Sequence, residues 1–221
     1  FPPRFAPILQ EMEPLAALFR EAGHRLFLVG GSVRDLFIGD SDAGTDLSLI
    51  DFDATTTATP DQIKKIVNPI ADALWTQGER FGTIGLKIGE RTYEITTHRA
   101  EAYSPDSRKP EVQFATDIET DLSRRDFTIN AMALELTTDT PVLVDPFGGL
   151  ADLMARVLRT PLSAEESFSD DPLRMLRAAR FISQLEVAPD PSITAAVTAM
   201  ADRLTIVSAE RVRIEFDRLM T

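Results

Sequence analysis

The stretch DFDATTTATP, residues 51–60, places two aspartates one residue apart and starts a new element at a proline. Alternate side chains of a strand share a face, so Asp51 and Asp53 would point the same way. Two carboxylates so close repel each other, and a divalent cation is the usual means of offsetting that cost. A solvated strand end is the simpler interpretation of such a short motif taken alone. The pair therefore predicts a metal site only if other motifs supply a matching ligand.

Secondary-structure signals continue on both sides of this stretch. Thr59, Pro60 and Gln62 predict a helix start with a capping box. Upstream, RLFLV (25–29) predicts a buried strand, and SVRDLFIG (32–39) predicts a short helix capped by Ser32 and stopped by Gly39. The other predicted elements are a helix at 8–22, a strand at 46–53, two strands around Gly89 within 81–99, a helix passing into a strand from Arg124, and mostly helix after Leu150 with a strand candidate in VLRT.

Bulk composition limits the class of protein. The chain has 221 residues, 43% of them hydrophobic, which is enough for one large or two small domains. It has no cysteine, which excludes disulfides and thiolate metal sites and favours a cytoplasmic location. No apolar run is long enough to cross a bilayer, so no membrane partner is expected. The net charge of −12 means that an anionic ligand must meet a local basic patch or metal ions. The oligomeric state is not readable from the sequence.

A second motif, LVGGSVRD (28–35), has the chemistry of an anion-binding turn. Gly30 and Gly31 follow a strand and precede a helix start, where backbone N–H groups can hold phosphate, and Arg34 adds a cation. An ordinary strand-to-helix turn explains the same residues equally well. The motif is neither a dinucleotide fingerprint nor a Walker loop. Together with the aspartate pair, it indicates a nucleotide handled through its triphosphate.

A third motif, DDPLRMLRAARF (170–181), combines a carboxylate with regularly spaced arginines. Asp171 precedes Pro172 as a predicted N-cap, and arginines recur at every third position along one flank of a helix. An arginine fork and a carboxylate can distinguish bases by hydrogen bonding. A surface helix whose arginines form salt bridges in an acidic protein is the alternative.

The motifs LVGGSVRD, DFDATTTATP, RRDFTINAMA, DPFGG and DDPLRMLRAARF follow one another in the order found in one family. From about Arg25 to Met220, the chain resembles class II tRNA nucleotidyltransferases and bacterial poly(A) polymerases. The resemblance implies an α+β fold, with a nucleotidyltransferase-type head built on a small mixed sheet flanked by helices and then an all-helical neck. It implies a division into an N-terminal helix (1–24), a head (25–150) and a neck (151–221), in a chain that is a C-terminally truncated piece. It further implies Mg²⁺-dependent transfer of CMP or AMP from CTP or ATP to the 3′ end of tRNA, with release of pyrophosphate.

The resemblance also implies roles for individual residues. Asp51 and Asp53 correspond to the catalytic, metal-binding pair. The residues that correspond to contacts with the triphosphate and ribose are Gly30, Gly31, Arg34, Arg125, Asp126 and Asn130. Those that correspond to base selection and further nucleotide contacts are Asp171, Arg174, Arg177 and Arg180.

Several alternatives stay open at this point. The segment 40–50 is longer than expected for the family, and GTDLS (44–48) is a second candidate motif in which Asp46 would replace Asp51 as ligand. Glu94 could be a third acidic group, but a strand residue facing solvent is the preferred interpretation. Poly(A) addition, A-only or CC-only addition, a catalytically silent nucleotide- or RNA-binding fragment and a purely structural domain are the competing functions.

Overall fold

The computed structural model describes residues 1–39, 52–102 and 111–220. Within them the chain forms two compact units, one comprising Phe1–Leu122 and Met132–Asp145 and the other comprising Ser123–Ala131 and Pro146–Thr221. None of the helices in these ranges is long and apolar enough to cross a membrane. The predicted α+β class is confirmed, with a mixed sheet in the first unit and helices dominating the second.

The first unit is built on a seven-stranded sheet of order β3-β4-β5-β2-β1-β8-β9. Its pairs are antiparallel except β2 with β5, which run parallel. The strands of this sheet are β1 (Leu26–Val29), β2 (Phe52–Thr56), β3 (Ala73–Trp75), β4 (Thr83–Ile88), β5 (Arg91–Thr97), β8 (Ala133–Glu135) and β9 (Val142–Val144). A separate hairpin consists of β6 (Arg99–Ala102) and β7 (Glu111–Phe114).

Helices of the first unit pack against this sheet. The helices of the first unit are α1 (Phe5–Glu21), α2 (Gly31–Ile38), α3 (Pro60–Val67) and α4 (Ile118–Ser123). In β4 and β5 the buried residues alternate with more accessible ones, Asp53 is the one exposed residue of β2, and α3 contacts both β4 and β5. Because alternate strand residues share a face, the apolar side of the sheet packs against the helices and the polar side faces away from them.

Two predicted helix starts have different outcomes. The capping box at Thr59 is confirmed, since its hydroxyl accepts from Gln62 N and the Gln62 side chain accepts from Thr59 N. The prediction that Ser32 caps α2 is wrong: the helix begins at Gly31 with Gly30 as N-cap, and Ser32 lies inside the first turn. Gly30 has φ +73° and ψ −137°, a conformation that disfavours any side chain, and this lets the helix begin earlier.

The second unit is mainly helical. Its elements are α5 (Gly149–Ala155), β10 (Val157–Leu158), α6 (Ala164–Asp170), α7 (Arg174–Leu185), β11 (Ala188–Pro189), α8 (Pro191–Met200) and α9 (Ala209–Met220). A short 3₁₀ helix, Thr128–Asn130, packs against α5, and α7 packs against α9. The predicted strand in VLRT is confirmed as β10, which pairs in parallel with β11. This pair is a small departure from an all-helical neck.

Candidate active site

Two exposed carboxylates lie side by side on the polar face of the sheet. Asp53 is exposed in β2 between the buried Phe52 and Ala54. In the parallel pairing of β2 with β5, Asp53 lies opposite Glu94, which is also exposed. Neighbouring strands are about 4.8 Å apart, and like charges directly opposite each other destabilise a sheet. The face therefore has the charge and the oxygen donors that suit a divalent cation.

The donor set fits Mg²⁺ bound together with a substrate. Mg²⁺ commonly takes one or two carboxylates, substrate phosphates and several waters rather than a complete protein cage. Within 1–39, 52–102 and 111–220, no three His, Asp or Glu side chains converge into a full ligand set. Asp51, the other predicted ligand, and Asp46, its alternative, lie outside the described residues. A common face for Asp51 and Asp53 therefore stays a prediction.

A hydrogen-bonded network fixes β2 against β5 just beyond Asp53. The Thr55 hydroxyl donates to the Thr96 carbonyl oxygen at 3.0 Å and lies 2.8 Å from Nδ1 of the fully buried His98. Because the hydroxyl proton is directed at Thr96, the Nδ1–H of His98 donates to Thr55. The network holds the acidic strand in one position, as a metal ligand requires.

The glycine turn carries the second predicted feature. The carbonyl oxygen of Gly30 accepts from the N–H groups of Val33 and Arg34, at 3.1 Å each, which closes the first turn of α2. The Arg34 guanidinium folds over Gly31, where an added Cβ would lie 3.4 Å from Nη2. Arg34 also forms a 2.7 Å salt bridge with Asp35. The turn thus combines the positive end of a helix with a nearby cation, which is the arrangement expected of an anion cradle.

Within the second unit, three of the predicted residues form one buried cluster. Oδ2 of Asp126 accepts from Nε and Nη2 of Arg177, at 2.8 and 2.6 Å. Its Oδ1 accepts from Phe127 N at 2.7 Å and from Asn130 Nδ2 at 3.0 Å. Burial alone would raise the pKa of Asp126, but the charge of Arg177 and these hydrogen bonds outweigh it and lower the pKa. Asp126 is therefore a carboxylate that orients Arg177.

Burial affects the other member of this pair in the opposite sense. Desolvation alone would lower the pKa of Arg177, but the charge and hydrogen bonds of Asp126, with a contribution from Glu215, raise it instead. Arg180 extends the cluster by donating to Glu215, whose side chain is only 4% exposed. Glu215 also lies 3.8 Å from Nη1 of Arg177. Two arginines and two carboxylates thus share one charge-balanced network.

Asp171 and Arg174, the predicted base-selecting pair, lie at the entry to α7. Oδ1 of Asp171 accepts from Leu173 N at 3.1 Å, and Oδ2 accepts from Arg211 at 2.9 Å. Asp171 thus closes the turn before the helix and is not the N-cap itself, which is Leu173.

Arg174 donates to Ser167 Oγ at 3.1 Å and to the Arg124 carbonyl oxygen at 2.5 Å. Arg125, the remaining predicted contact, is half-buried next to Asp126.

Comparison with known proteins defines the class to which this architecture corresponds. The family model for the poly A polymerase head domain matches residues 26–159, more than half of the chain. A second model, described as a probable RNA- and SrmB-binding site of polymerase A, matches residues 187–221. The chain belongs to the poly A polymerase head-domain family.

Individual relatives narrow the likeness to one kind of enzyme. The chain is 42% identical to the CCA-adding enzyme of Bacillus subtilis over 212 residues, covering 94% of this chain and 49% of that relative. Among solved structures, it is similar to the Bacillus stearothermophilus CCA-adding enzyme in complex with CTP, with a TM-score of 0.81 and 32% identity, over 99% of this chain and 49% of that one. The Thermotoga maritima CCA-adding enzyme complexed with tRNA matches with a TM-score of 0.78 and 28% identity, over 97% and 47%. The chain spans about half the length of these relatives.

Two residues of these clusters were not predicted as functional. The sequence favours Glu94 as a strand residue facing solvent; it is exposed, and it also lies beside Asp53. Only the parallel pairing of β2 with β5 reveals that proximity. Glu215 carries no motif of its own, and its contact with Arg180 joins two residues that are 35 positions apart in the sequence. Its position in a RVRIEFDRL stretch gives no local signal of burial.

Proposed function

We propose that this chain is the head and neck part of an RNA nucleotidyltransferase that adds CMP and AMP, from CTP and ATP, to the 3′ end of tRNA. The observation that carries the proposal is the pair of exposed carboxylates, Asp53 and Glu94, which lie opposite each other on neighbouring strands of the sheet within the head-domain match. Support comes from relatives named CCA-adding enzymes, among them structures with CTP, ATP and tRNA. In this assignment residues 1–24 are an N-terminal helix, 25–150 the head and 151–221 the neck.

The chemistry follows from the acidic strand. Asp53, with Asp51 as the predicted second ligand, would hold Mg²⁺, which when bound stabilises negative charge on the attacking and leaving oxygens. The 3′ hydroxyl oxygen of the RNA forms a bond to the α-phosphorus of the nucleotide. The bond from that phosphorus to the bridging oxygen breaks, pyrophosphate leaves, and the hydroxyl proton passes to solvent. Gly30, Gly31 and Arg34 bind the triphosphate in this scheme, because they combine a helix start with a cation.

Base selection is assigned to the second unit. A carboxylate and an arginine at the start of one helix, Asp171 and Arg174, present acceptors and donors from fixed backbone positions. Arg177 is oriented by Asp126, and Arg180 by Glu215, so each guanidinium has a defined direction. Arg125 and Asn130 complete the proposed nucleotide contacts. Such fixed forks discriminate among bases better than mobile cations do.

The proposal is tested with a tRNA that lacks its 3′ CCA, incubated with the chain, Mg²⁺ and each nucleoside triphosphate. Addition of C, C and A in order is the expected result, and Asp53→Asn abolishes it. Long A tails on unrelated RNA would instead assign the chain to poly(A) addition. Mg²⁺-dependent binding of CTP and ATP without turnover would identify the chain as a nucleotide-binding module without catalytic activity.

A further inference from the structure

Trp75, the single tryptophan of the chain, lies at the end of β3 and is 41% exposed. It pairs with Gly85 of β4, and a Cβ at that glycine would lie only 3.2 Å from Cε3 of the indole. The missing side chain therefore lets the indole rest against the backbone of β4. One side of a large aromatic group is held by the sheet while much of its surface stays accessible.

Two further exposed aromatic side chains lie beside Gly82, just before β4 begins and three residues from the Gly85 that pairs with Trp75. Phe81 is 41% exposed and directly precedes Gly82, and Phe114 is 47% exposed. A Cβ at Gly82 would be 2.8 Å from the Phe114 ring, so this ring occupies the space above the glycine. We call Trp75, Phe81 and Phe114 the aromatic edge. Large apolar side chains that are exposed near one another often mark a binding surface.

Basic side chains are interspersed with the aromatic edge. The Arg80 guanidinium carbon lies 4.5 Å from the centre of the Phe81 ring. Arg99 donates to Thr83 Oγ1 at 2.7 Å on β4, and Lys87, whose side chain is 40% exposed, pairs with Ala73 on β3. Aromatic platforms with interspersed cations suit a single-stranded nucleic acid, whose bases stack and whose phosphates need positive charge. Acidic side chains are also present there, since Lys87 lies 4.0 Å from Glu90 and Glu79 begins the turn that carries Phe81, so the aromatic rings rather than net charge carry the argument.

The edge is in line with the candidate catalytic carboxylates. Across β3, β4, β5 and β2, the paired residues are Trp75, Gly85, Glu94 and Asp53. Three strand spacings separate the first from the last, which is roughly 14 Å. A stacked strand advances about 3.4 Å per nucleotide, so this distance corresponds to about four nucleotides.

We propose that the aromatic edge is a stacking site for single-stranded RNA, which receives a base about four nucleotides or fewer upstream of the reacting 3′ end, with Trp75 as its main platform. The inference rests on the proposed function, because that function places a 3′ hydroxyl at Asp53. It adds an RNA-holding surface in the first unit, separate from the family-model match at 187–221.

The single tryptophan makes the test direct. The chain is titrated with an eight-nucleotide single-stranded RNA while Trp75 emission and the anisotropy of a label on the RNA 5′ end are both followed. Emission is quenched along the same binding curve as the anisotropy, and inorganic polyphosphate causes no such quenching. Trp75→Ala weakens RNA binding about tenfold, Trp75→Phe stays within about twofold, and the control Phe1→Ala, an aromatic residue 58% exposed at the N-terminus, has no effect.

Several outcomes would overturn the inference. They are RNA binding with unchanged emission, equal affinity of the Trp75→Ala variant, equal quenching by polyphosphate, and no RNA binding by a folded chain. Emission that changes with protein concentration alone would assign the edge to self-association instead. Mg²⁺-dependent CTP binding, measured on the same samples, distinguishes failure of the stacking site from failure of the proposed function. If CTP still binds while RNA neither quenches Trp75 nor depends on it for affinity, only the stacking site is rejected.

Discussion

Replacing Asp126 by alanine should destabilise the second unit through loss of one buried ion pair. The carboxylate accepts four hydrogen bonds, two of them from Arg177, whose side chain is 29% exposed. Without it, the guanidinium stays partly buried without its main counter-charge, and the donors on Phe127 and Asn130 lose their acceptor. Breaking a buried pair in this way costs about 3–5 kcal/mol. Because Arg177 retains some solvent contact and lies near Glu215, we expect about 3 kcal/mol.

Urea unfolding measures this loss of stability. Far-UV circular dichroism follows the helices of the second unit, whereas Trp75 fluorescence reports the first unit alone. With a slope of about 2 kcal/mol per molar urea, the dichroism midpoint of Asp126→Ala should fall by about 1.5 M. The matched control is Asp202→Ala, an exposed aspartate of the same unit, which should change stability by less than about 0.5 kcal/mol. Equal midpoints for the two variants would refute the reasoning.

The pH dependence gives a second, independent check of the same pair. The folded state lowers the pKa of Asp126, so the unfolded state binds its proton more readily. The resulting stability is fully present above the unfolded pKa of about 3.9 and is lost as pH falls through the folded pKa. Unfolding free energy should therefore drop below about pH 4 more steeply in the unsubstituted chain than in Asp126→Ala. Parallel slopes would contradict the shift.

Three further substitutions test other parts of the structure. Asp53→Asn should lower CMP incorporation by at least about 100-fold while leaving the urea midpoint nearly unchanged, because it removes a metal ligand and not a packed side chain. Retained incorporation would exclude Asp53 as a catalytic metal ligand. Thr59→Ala should lower the free energy of unfolding by about 1 kcal/mol, because the capping box of α3 is lost, and an unchanged thermal midpoint would argue against it. Arg156→Gly should raise the free energy of unfolding by about 0.5 kcal/mol, because the φ of +55° at this position favours glycine and the exposed ion pair with Glu186 contributes little. A lower melting temperature would show that the ion pair contributes more than the relief of backbone strain.

Local signals explain which parts of the fold could be predicted. The start of α3 depends on four consecutive residues, and Thr59 and Gln62 bond as their spacing predicts. The prediction of where α2 starts was wrong, because it relied on the general preference for serine as N-cap. In the structure, Gly30 with its positive φ is the N-cap instead. The backbone conformation of Gly30 depends on the turn that follows β1 and has no signal in the local sequence.

The site shows the same division between local and distant information. The sequence predicts the three-residue spacing of the arginines on α7. It does not predict the carboxylate that Arg180 contacts, because Glu215 comes from another helix. Likewise, Asp53 was recognised from its motif, whereas Glu94 becomes its neighbour through a parallel strand pair 41 residues away in sequence. Pairings at such separations depend on the whole sheet and have no short sequence signature.

A crystal structure of the chain with CTP and Mg²⁺ is the most direct measurement of the central claim, that Asp53 of β2 holds the reacting phosphates through a divalent ion. We expect a carboxylate oxygen of Asp53 at about 2.1 Å from a Mg²⁺ ion that also contacts the triphosphate. An ion bound to the triphosphate with Asp53 outside its coordination shell would contradict the account.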